Sequence, residues 1–424
     1  MNKLKFFRVL AGCLLLTLTF ASLAISGEKL TIRVDRMLDV VSGRIIKNAY
    51  VTVEGRKIVG VGGSELAEGT KVIDLGDMTL LPGLIDMHVH LAYDIEMGFV
   101  YRSVHDGPAD DALRAARNSR QTLMAGFTTV REAGSRNFVD VALMKAVERG
   151  FVEGPWIFPC GHGISITGGH GDEIGFQPGI LEMTPEFGIA DGPEEVLRAV
   201  RYQIKHGAKQ IKMIATAGVL SFEESGIAQQ YSDEEMRVIV EEAARHGLKV
   251  FAHAHGTEGI IAAVKAGVAS IEHGSLVDDE AIKLMKEKGA YLVPTTYLAE
   301  SIDLERLPPL LRSKAEYILP LARKNLRRAI QSGVKIAFGT DAAVFPHGDN
   351  AKEFAVYVKL GMSPIDAIRT ATINAIDLLG VDDRGIIEEG KLADLIAVQG
   401  NPLENIAVLE DVKFVMHGGK IVKR

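Results

Sequence analysis

Two histidines, His88 and His90, lie two positions apart after an apolar segment at residues 80–86. Side chains at positions i and i+2 of a strand project to the same face, so the two imidazoles could bind one cation together. The pair is also compatible with a polar rim at the end of a strand. Whether the pair binds metal therefore depends on which other ligand residues the fold places beside it.

Four further residues with suitable chemistry end apolar segments: Lys212, His253, His273 and Asp341. A bare, charged lysine is costly to bury, and reaction with CO2 would convert Lys212 into an anion able to bridge two cations. A lysine paired with a carboxylate or with the substrate is the alternative. Asp341 could bind a cation and accept a proton from water, although a lone aspartate after a strand favours a helix N-cap.

The middle of the chain must position these residues, and it alternates short apolar strands with amphipathic helices. Ser232 and Glu235 are the ends of a capping box that opens one such helix. Eight strand candidates end near His90, Arg131, Pro159, Lys212, His253, His273, Pro294 and Asp341. Eight units over residues 83–385 predict an α/β fold with a closed (β/α)8 TIM barrel, in which the carboxyl ends of the strands converge.

Both ends of the chain are rich in short strands separated by turn residues. The segments 30–34, 49–53, 57–61 and 71–75 precede the barrel, and 394–398, 412–416 and 420–423 follow it. The simplest arrangement is one small β-sandwich built from both termini, comprising residues 25–82 and 386–424.

The first 24 residues have the pattern of an export signal. Lys3, Lys5 and Arg8 precede an apolar run, and small residues follow at a suitable cleavage position. We expect a signal peptide at residues 1–24 and a periplasmic or secreted bacterial protein; a retained membrane anchor and lipid attachment at Cys13 are the alternatives. After cleavage only Cys160 remains, so the mature chain cannot form an internal disulfide.

Composition limits the partners. The chain has 424 residues, 47% of them hydrophobic, and a formal net charge of −7. This balance leaves no polybasic surface for nucleic acid, and we expect no membrane partner once the signal is removed. We expect a small-molecule substrate and a homo-oligomeric assembly.

The ordered ligand set resembles that of the amidohydrolase superfamily, and the resemblance covers residues 28–424. It rests on residues 81–90 (LPGLIDMHVH), 126–130 (GFTTV), 272–274 (EHG), 339–341 (GTD) and 390–395 (GKLADL). The resemblance implies two divalent cations, with zinc favoured. It implies that His88, His90 and Asp341 bind the first, that His253 and His273 bind the second, and that carboxylated Lys212 bridges both. Asp341 would accept a proton from metal-activated water and deliver it to the leaving nitrogen.

Within the superfamily the chain looks most like the imidazolonepropionase-related metallo-dipeptidase branch, which includes prolidase-like, Xaa-Arg/Lys dipeptidase-like and ochratoxin-amidase-like enzymes. The resemblance rests on the glycine-rich residues 161–172 and on residues 211–218. It implies hydrolysis of the amide bond to the C-terminal residue of dipeptides or N-acyl amino acids, with Xaa-Pro and Xaa-Arg/Lys substrates favoured.

The sequence also offers candidate residues for binding the substrate, each with an alternative structural role. His170 and Tyr231 could assist catalysis, and both could bind substrate together with His162 and His255; loop-stabilising or packing roles are open for all four. A site for a cationic side chain would need an acid, for which the candidates are Asp172, Glu173, Glu223 and Glu224. A proline site would need an apolar slot, for which the candidates are Phe222, Tyr297 and Phe345.

Two other functions compete with this interpretation. A mononuclear cyclic-amide hydrolase or deaminase of the same superfamily would normally lack a bridging lysine, and a deaminase would carry His-x-x-Glu where this chain has glycine at position 256. An exported metal- or solute-binding protein without turnover would not need Asp341 beside a full ligand set.

Overall fold

The computed structural model describes residues 29–62, 70–95, 101–223 and 227–424. The predicted signal peptide at residues 1–24 and the candidate acid Glu224 lie outside the described residues. Within the described ranges, no helix is both long and apolar enough to cross a membrane.

The described residues form fifteen strands. They are β1 (Leu30–Asp39), β2 (Arg44–Glu54), β3 (Lys57–Gly62), β4 (Lys71–Asp74), β5 (Met78–Pro82), β6 (Leu84–Val89), β7 (Phe127–Glu132), β8 (Trp156–Phe158), β9 (Ile211–Ile214), β10 (Val250–Ala254), β11 (Ser270–His273), β12 (Tyr291–Val293), β13 (Leu395–Gln399), β14 (Val412–His417) and β15 (Lys420–Lys423).

The same ranges contain twelve α-helices. They are α1 (Arg102–His105), α2 (Pro108–Met124), α3 (Val139–Glu148), α4 (Gly192–His206), α5 (Asp233–Arg245), α6 (Thr257–Ala266), α7 (Asp279–Lys288), α8 (Leu298–Ser301), α9 (Pro309–Gln331), α10 (Lys352–Lys359), α11 (Pro364–Thr370) and α12 (Ile373–Leu379). The predicted capping box opens α5, where Ser232 and Glu235 each bond the other's backbone amide.

The parallel strands β6 to β12 close into a barrel. They form two runs, β6-β7-β8 and β9-β10-β11-β12. A bridge between Ile164 and Met213 joins the runs on one side. On the other side, residues 336–342 serve as the eighth strand, with bridges from Leu292 to Ile336 and from Val89 to Ala342. The predicted TIM barrel is therefore confirmed, with an irregular eighth strand.

Amphipathic helices cover the barrel. Helix α4 buries Val196, Ala199, Val200 and Gln203, which recur at the spacing of one helical face. Such buried stripes pack with the outward-facing residues of the strands in one large apolar cluster, to which Ile211, Val250 and Ile271 belong.

Strands from the two ends of the chain form a second sheet, in the order β15-β14-β13-β5-β1-β2-β3, with β4 paired to β1. The N-terminal and C-terminal parts meet where β5 pairs antiparallel with β13. This sheet has its own core, in which Ile32, Val51, Leu395 and Phe414 are buried together. The additional β domain built from both termini agrees with the predicted fold class.

Candidate active site

The predicted ligands lie in or directly after barrel strands, most of them at the carboxyl ends, and Lys212 is the second residue of β9. His88 belongs to β6, Lys212 to β9, His253 to β10 and His273 to β11, and Asp341 lies in the irregular eighth strand. Their side chains line one cavity of about 730 Å³. The convergence expected of barrel strand ends therefore brings together residues that are far apart in sequence.

The first cluster consists of His88, His90 and Asp341, whose ligand atoms lie within 4.8 Å of one another. The Nε2 atoms of His88 and His90 lie 3.5 and 3.4 Å from Oδ1 of Asp341. The opposite ring nitrogens are engaged elsewhere, since Nδ1 of His88 lies 2.7 Å from Oε2 of Glu272 and Nδ1 of His90 lies 3.0 Å from the carbonyl of Gly134. Both rings are thus held with Nε2 toward the carboxylate.

The second cluster consists of His253, His255 and His273, again within 4.8 Å. Nδ1 of His273 lies 2.7 Å from Oγ1 of Thr295, and Nδ1 of His255 lies 2.8 Å from Oγ of Ser275. The buried Nε2 of His253 has no hydrogen-bond partner among the described residues. His255 was predicted as a substrate contact. It lies close enough to His253 and His273 to share a metal ion with them.

Lys212 is 3% exposed, and its Nζ makes no hydrogen bond or ion pair with any residue that the structure describes. Burial lowers the pKa of Lys212. Its charge also contributes to lowering the pKa of His88 in the first cluster and of His253 in the second, after the larger effect of burial. The Nζ lies 5.3 Å from the centroid of the Phe251 ring. A buried amine with a lowered pKa and no hydrogen-bond or ion-pair partner among the described residues is suited to react with CO2.

The donor set fits divalent cations. Burial holds the pKa of His88, His253 and His273 well below its ordinary value and lowers the pKa of His90 to about 4, so the rings are neutral. Neutral imidazole nitrogen, supported by a hydrogen bond at the other ring nitrogen, is the form that binds zinc and related metals. The two clusters are therefore candidate metal-binding sites.

Comparison with known proteins assigns this geometry to a family. The amidohydrolase family model matches residues 79–422. The chain belongs to the amidohydrolase family.

Individual relatives agree with this assignment. Ochratoxinase from Aspergillus niger is 38% identical, over 96% of this chain and 86% of that protein. The crystal structure of a Xaa-Pro dipeptidase with bound methionine in the active site is 39% identical, with a TM-score of 0.88, and covers 93% of this chain and 100% of that one. A prolidase complexed with N-methylphosphonate-L-proline is 34% identical, with a TM-score of 0.86 and the same coverage. The predicted superfamily is thereby confirmed, and this amidohydrolase hydrolyses amide C–N bonds.

A buried ion pair supports the first cluster and was not predicted from the sequence. Arg131 and Glu272 are both fully buried, and Nη2 of Arg131 donates to Oε1 of Glu272 at 2.7 Å. Nε of Arg131 donates to the carbonyl of Met87, and Ser270 donates to Glu272 at 2.6 Å. Each of the two residues is a charged residue near the end of an apolar strand, which is a sign of functional importance in the sequence. That the two residues pair with each other follows only from the tertiary structure.

Three residues around the clusters have left-handed backbone conformations: His273, Thr295 and Asp341, with φ of 67°, 49° and 61°. Such angles are uncommon for residues other than glycine, and for a β-branched threonine they are unfavourable. Strained backbone of this kind concentrates at functional sites, where the surrounding structure fixes it. The hydrogen bond between the side chains of His273 and Thr295 links two of these strained positions.

His170 and His162 both line the cavity of the amidohydrolase, but their contacts differ. The ring of His170 stacks on His253 with centroids 4.3 Å apart, and its buried Nδ1 has no partner among the described residues. The two ring nitrogens of His162 are occupied, one by the backbone amide of Asn137 at 3.0 Å and the other by Gln203 at 3.2 Å. His162 therefore stabilises its loop, and His170 retains an unused polar atom.

The structure does not bring Tyr231 to the cavity. Tyr231 is 1% exposed, and its hydroxyl donates to the carbonyl of Ala190 at 3.0 Å. The catalytic or substrate-binding role predicted for Tyr231 is corrected to packing, because the residue before the capping box of α5 points into the protein core. Of the three apolar candidates, Phe222 lines the cavity, while Tyr297 and Phe345 pack against each other.

Proposed function

We propose that this protein is a binuclear metal-dependent amidohydrolase that releases the C-terminal amino acid of dipeptides or N-acyl amino acids. The observation that supports this proposal best is the presence of two three-residue clusters, His88/His90/Asp341 and His253/His255/His273, in one cavity with the buried Lys212. A mononuclear enzyme has no need of a lysine at that position.

Each cluster is assigned one metal ion. His88, His90 and Asp341 would hold one divalent cation, His253 and His273 would hold the second, and carboxylated Lys212 would bridge them. Zinc is the preferred identity because histidine nitrogen and carboxylate oxygen dominate the donor set. When bound, such cations polarise a carbonyl and lower the pKa of water.

The residues of the chain supply the remaining steps. Asp341 accepts a proton from the attacking water and delivers it to the leaving nitrogen. His170, which lines the cavity beside His253, is placed to hydrogen-bond the substrate. The barrel holds both groups on a rigid frame, so little reorganisation is needed during the reaction.

The cavity favours an apolar C-terminal side chain over a cationic one. Asp172 accepts the backbone amides of Gly168 and Glu173, and the carboxylate of Glu173 is paired with Arg136. Both carboxylates are therefore engaged, and the third described candidate, Glu223, lies beside His170 with 9% of its side chain exposed. The apolar lining includes Ile174, Phe176, Phe187, Phe222, Leu298 and Ile318. Apolar residues such as methionine, phenylalanine or proline would bury their surface there.

The test is a panel of dipeptides and N-acetyl amino acids that differ only in the C-terminal residue, assayed with zinc and bicarbonate present. We expect hydrolysis, with kcat/KM for apolar residues at least about tenfold above that for arginine or lysine. Metal analysis of the same preparation should give two metals per chain. One metal per chain, or activity on cyclic amides alone, would contradict the binuclear dipeptidase proposal, and a protein inert on the whole panel would favour a binding protein.

We also propose that the protein is exported. The support is the basic and apolar pattern of residues 1–24. N-terminal sequencing of the protein recovered from a periplasmic fraction should begin near residue 25, whereas recovery of the intact N-terminus from the membrane would contradict cleavage.

A further inference from the structure

A histidine and a glutamate beside the second cluster each have a buried polar atom without a partner. One carboxylate oxygen of Glu223 accepts the backbone amide of Gly218 at 2.8 Å. The other oxygen, and Nδ1 of His170, are buried and have no hydrogen-bond partner among the described residues. Nδ1 of His170 lies 3.9 Å from Oε1 of Glu223. Leaving both groups unpaired is costly, and a small rotation of either side chain would join them.

The segment that carries Glu223 is fixed from its other side. Lys314 of α9 donates from Nζ to the carbonyls of Gly218, Ser221 and Glu223 at 2.8, 2.5 and 3.1 Å. These three bonds hold the backbone of the segment. The carboxylate of Glu223, in contrast, is directed toward His170 and is only 9% exposed.

The ring of His170 packs closely against the backbone of Gly218. A Cβ atom at position 218 would lie 2.2 Å from Nδ1 and 2.3 Å from Cε1 of His170. Glycine at this position therefore allows the ring to approach the segment closely. The backbone amide of His170 is also anchored, since it donates to Gln230 at 3.2 Å.

We propose that Glu223 is the positioning residue for His170: its carboxylate accepts a hydrogen bond from Nδ1–H, fixes the rotation of the ring and leaves Nε2 for the substrate. With Nδ1–H donating to Glu223, the neutral ring presents the lone pair of Nε2 to the substrate. This inference rests on the proposed function, because it assigns His170 a contact with the substrate. Glu223 itself touches no substrate.

A double-mutant cycle tests whether Glu223 acts through His170. We expect Glu223→Ala to lower kcat about tenfold with KM nearly unchanged. Glu223→Gln, which keeps an acceptor oxygen, should retain more activity. In a His170→Asn background, the Glu223→Ala change should alter kcat less than about twofold. An equal loss in both backgrounds would overturn the proposal, because Glu223 would then act through the fold of its segment. Glu194→Ala, at an exposed acid in the first turn of α4 outside the cavity lining, is the control.

A spectroscopic readout separates this inference from the proposed function. If the wild type hydrolyses nothing on the panel, the function fails, and the pair is still measured by nitrogen NMR of the histidine rings in zinc-loaded protein. The His170 signals are identified by their loss in His170→Asn. We expect Glu223→Ala to shift the Nδ1 resonance of His170 and Glu194→Ala to leave it in place. Identical His170 signals in the wild type and Glu223→Ala would overturn the proposal.

Discussion

Both clusters offer histidine nitrogens as candidate metal ligands, but the hydrogen bonds that hold the histidine rings differ between the two clusters. In the first cluster, the ring of His88 is bonded to a charged group, Glu272, which is paired in turn with Arg131. In the second cluster, His273 and His255 are bonded to the neutral hydroxyls of Thr295 and Ser275. A buried anion raises the basicity of its histidine more than a hydroxyl does. The first cluster should therefore hold its metal more tightly, and the second should exchange more readily.

The largest effect is expected at the carboxylate that distinguishes the first cluster. Asp341→Asn should lower kcat by at least about 100-fold, because asparagine cannot accept the proton from the attacking water. Metal analysis should show that metal is still bound. The matched control is Asp349→Asn, which removes a surface ion pair with Lys352 nearby. A variant that keeps more than a tenth of wild-type turnover would remove Asp341 from the proton transfer.

The next effect concerns the buried ion pair. Arg131→Met leaves Glu272 charged without its partner, and should lower the free energy of unfolding in urea by about 3–5 kcal/mol. The control Arg120→Met, at an exposed pair with Glu153, should cost less than about 1 kcal/mol.

The double variant Arg131→Met/Glu272→Leu sharpens the comparison. It should recover most of the stability, since no unpaired charge remains, and still weaken metal binding because His88 has lost its acceptor. If the double variant binds metal as the wild type does, the ion pair serves the fold alone.

A smaller effect is expected in the second cluster. Thr295→Val keeps the shape of the side chain and removes the hydroxyl bonded to His273, so affinity for the second metal should fall about tenfold. Thr296→Val is the neighbouring control, since its hydroxyl makes only a 3.4 Å contact with the carbonyl of Pro294. During titration with a chelator, the first of the two metals should leave at lower chelator concentration in Thr295→Val. Equal loss in both variants would contradict the role of Thr295.

The smallest effect is a change in pH dependence. Glu353 of α10 accepts the backbone amides of Thr296 and Tyr297, and burial raises the pKa of Glu353 to about 8. The folded state therefore binds a proton that the unfolded state releases above about pH 4.5, and this group lowers stability as the pH rises from there to about 8.

Urea unfolding at several pH values measures this contribution. Glu353→Gln should flatten the decline over that range, whatever its effect on the absolute stability. Glu389→Gln, at an exposed position, should leave the slope unchanged. An unchanged slope in Glu353→Gln would show that other groups cause the decline.

The sequence predicted the residues whose position follows from strand periodicity and barrel topology. His88 and His90 share a face because they are two residues apart, and His253, His273 and Asp341 converge because barrel strands end on one side. The placement of Tyr231 did not follow from any such rule. Its position before a helix cap left its direction open, and only the packing around Ala190 decided it.

The ion pair that holds the ring of His88 could not be predicted from local sequence patterns either. Charged residues within apolar strands suggest burial, but Arg131 and Glu272 lie on different strands, and their pairing exists only in the closed barrel. The left-handed backbone at Thr295 likewise contradicts local preference, since threonine rarely adopts it. These are positions where tertiary structure outweighs the tendencies of the segment.

The pairing of β5 with β13 has a consequence for the order in which the protein can be assembled. Thr79 donates to the carbonyl of Gly400 across 321 positions of sequence, so the edge of β5 stays open during synthesis until the last strands emerge. Closing so long a loop is slow, and an unpaired edge can join the edge of another chain. Nascent chains that stop before residue 395 should therefore be recognised by chaperones or aggregate, even though every predicted metal ligand has already been made.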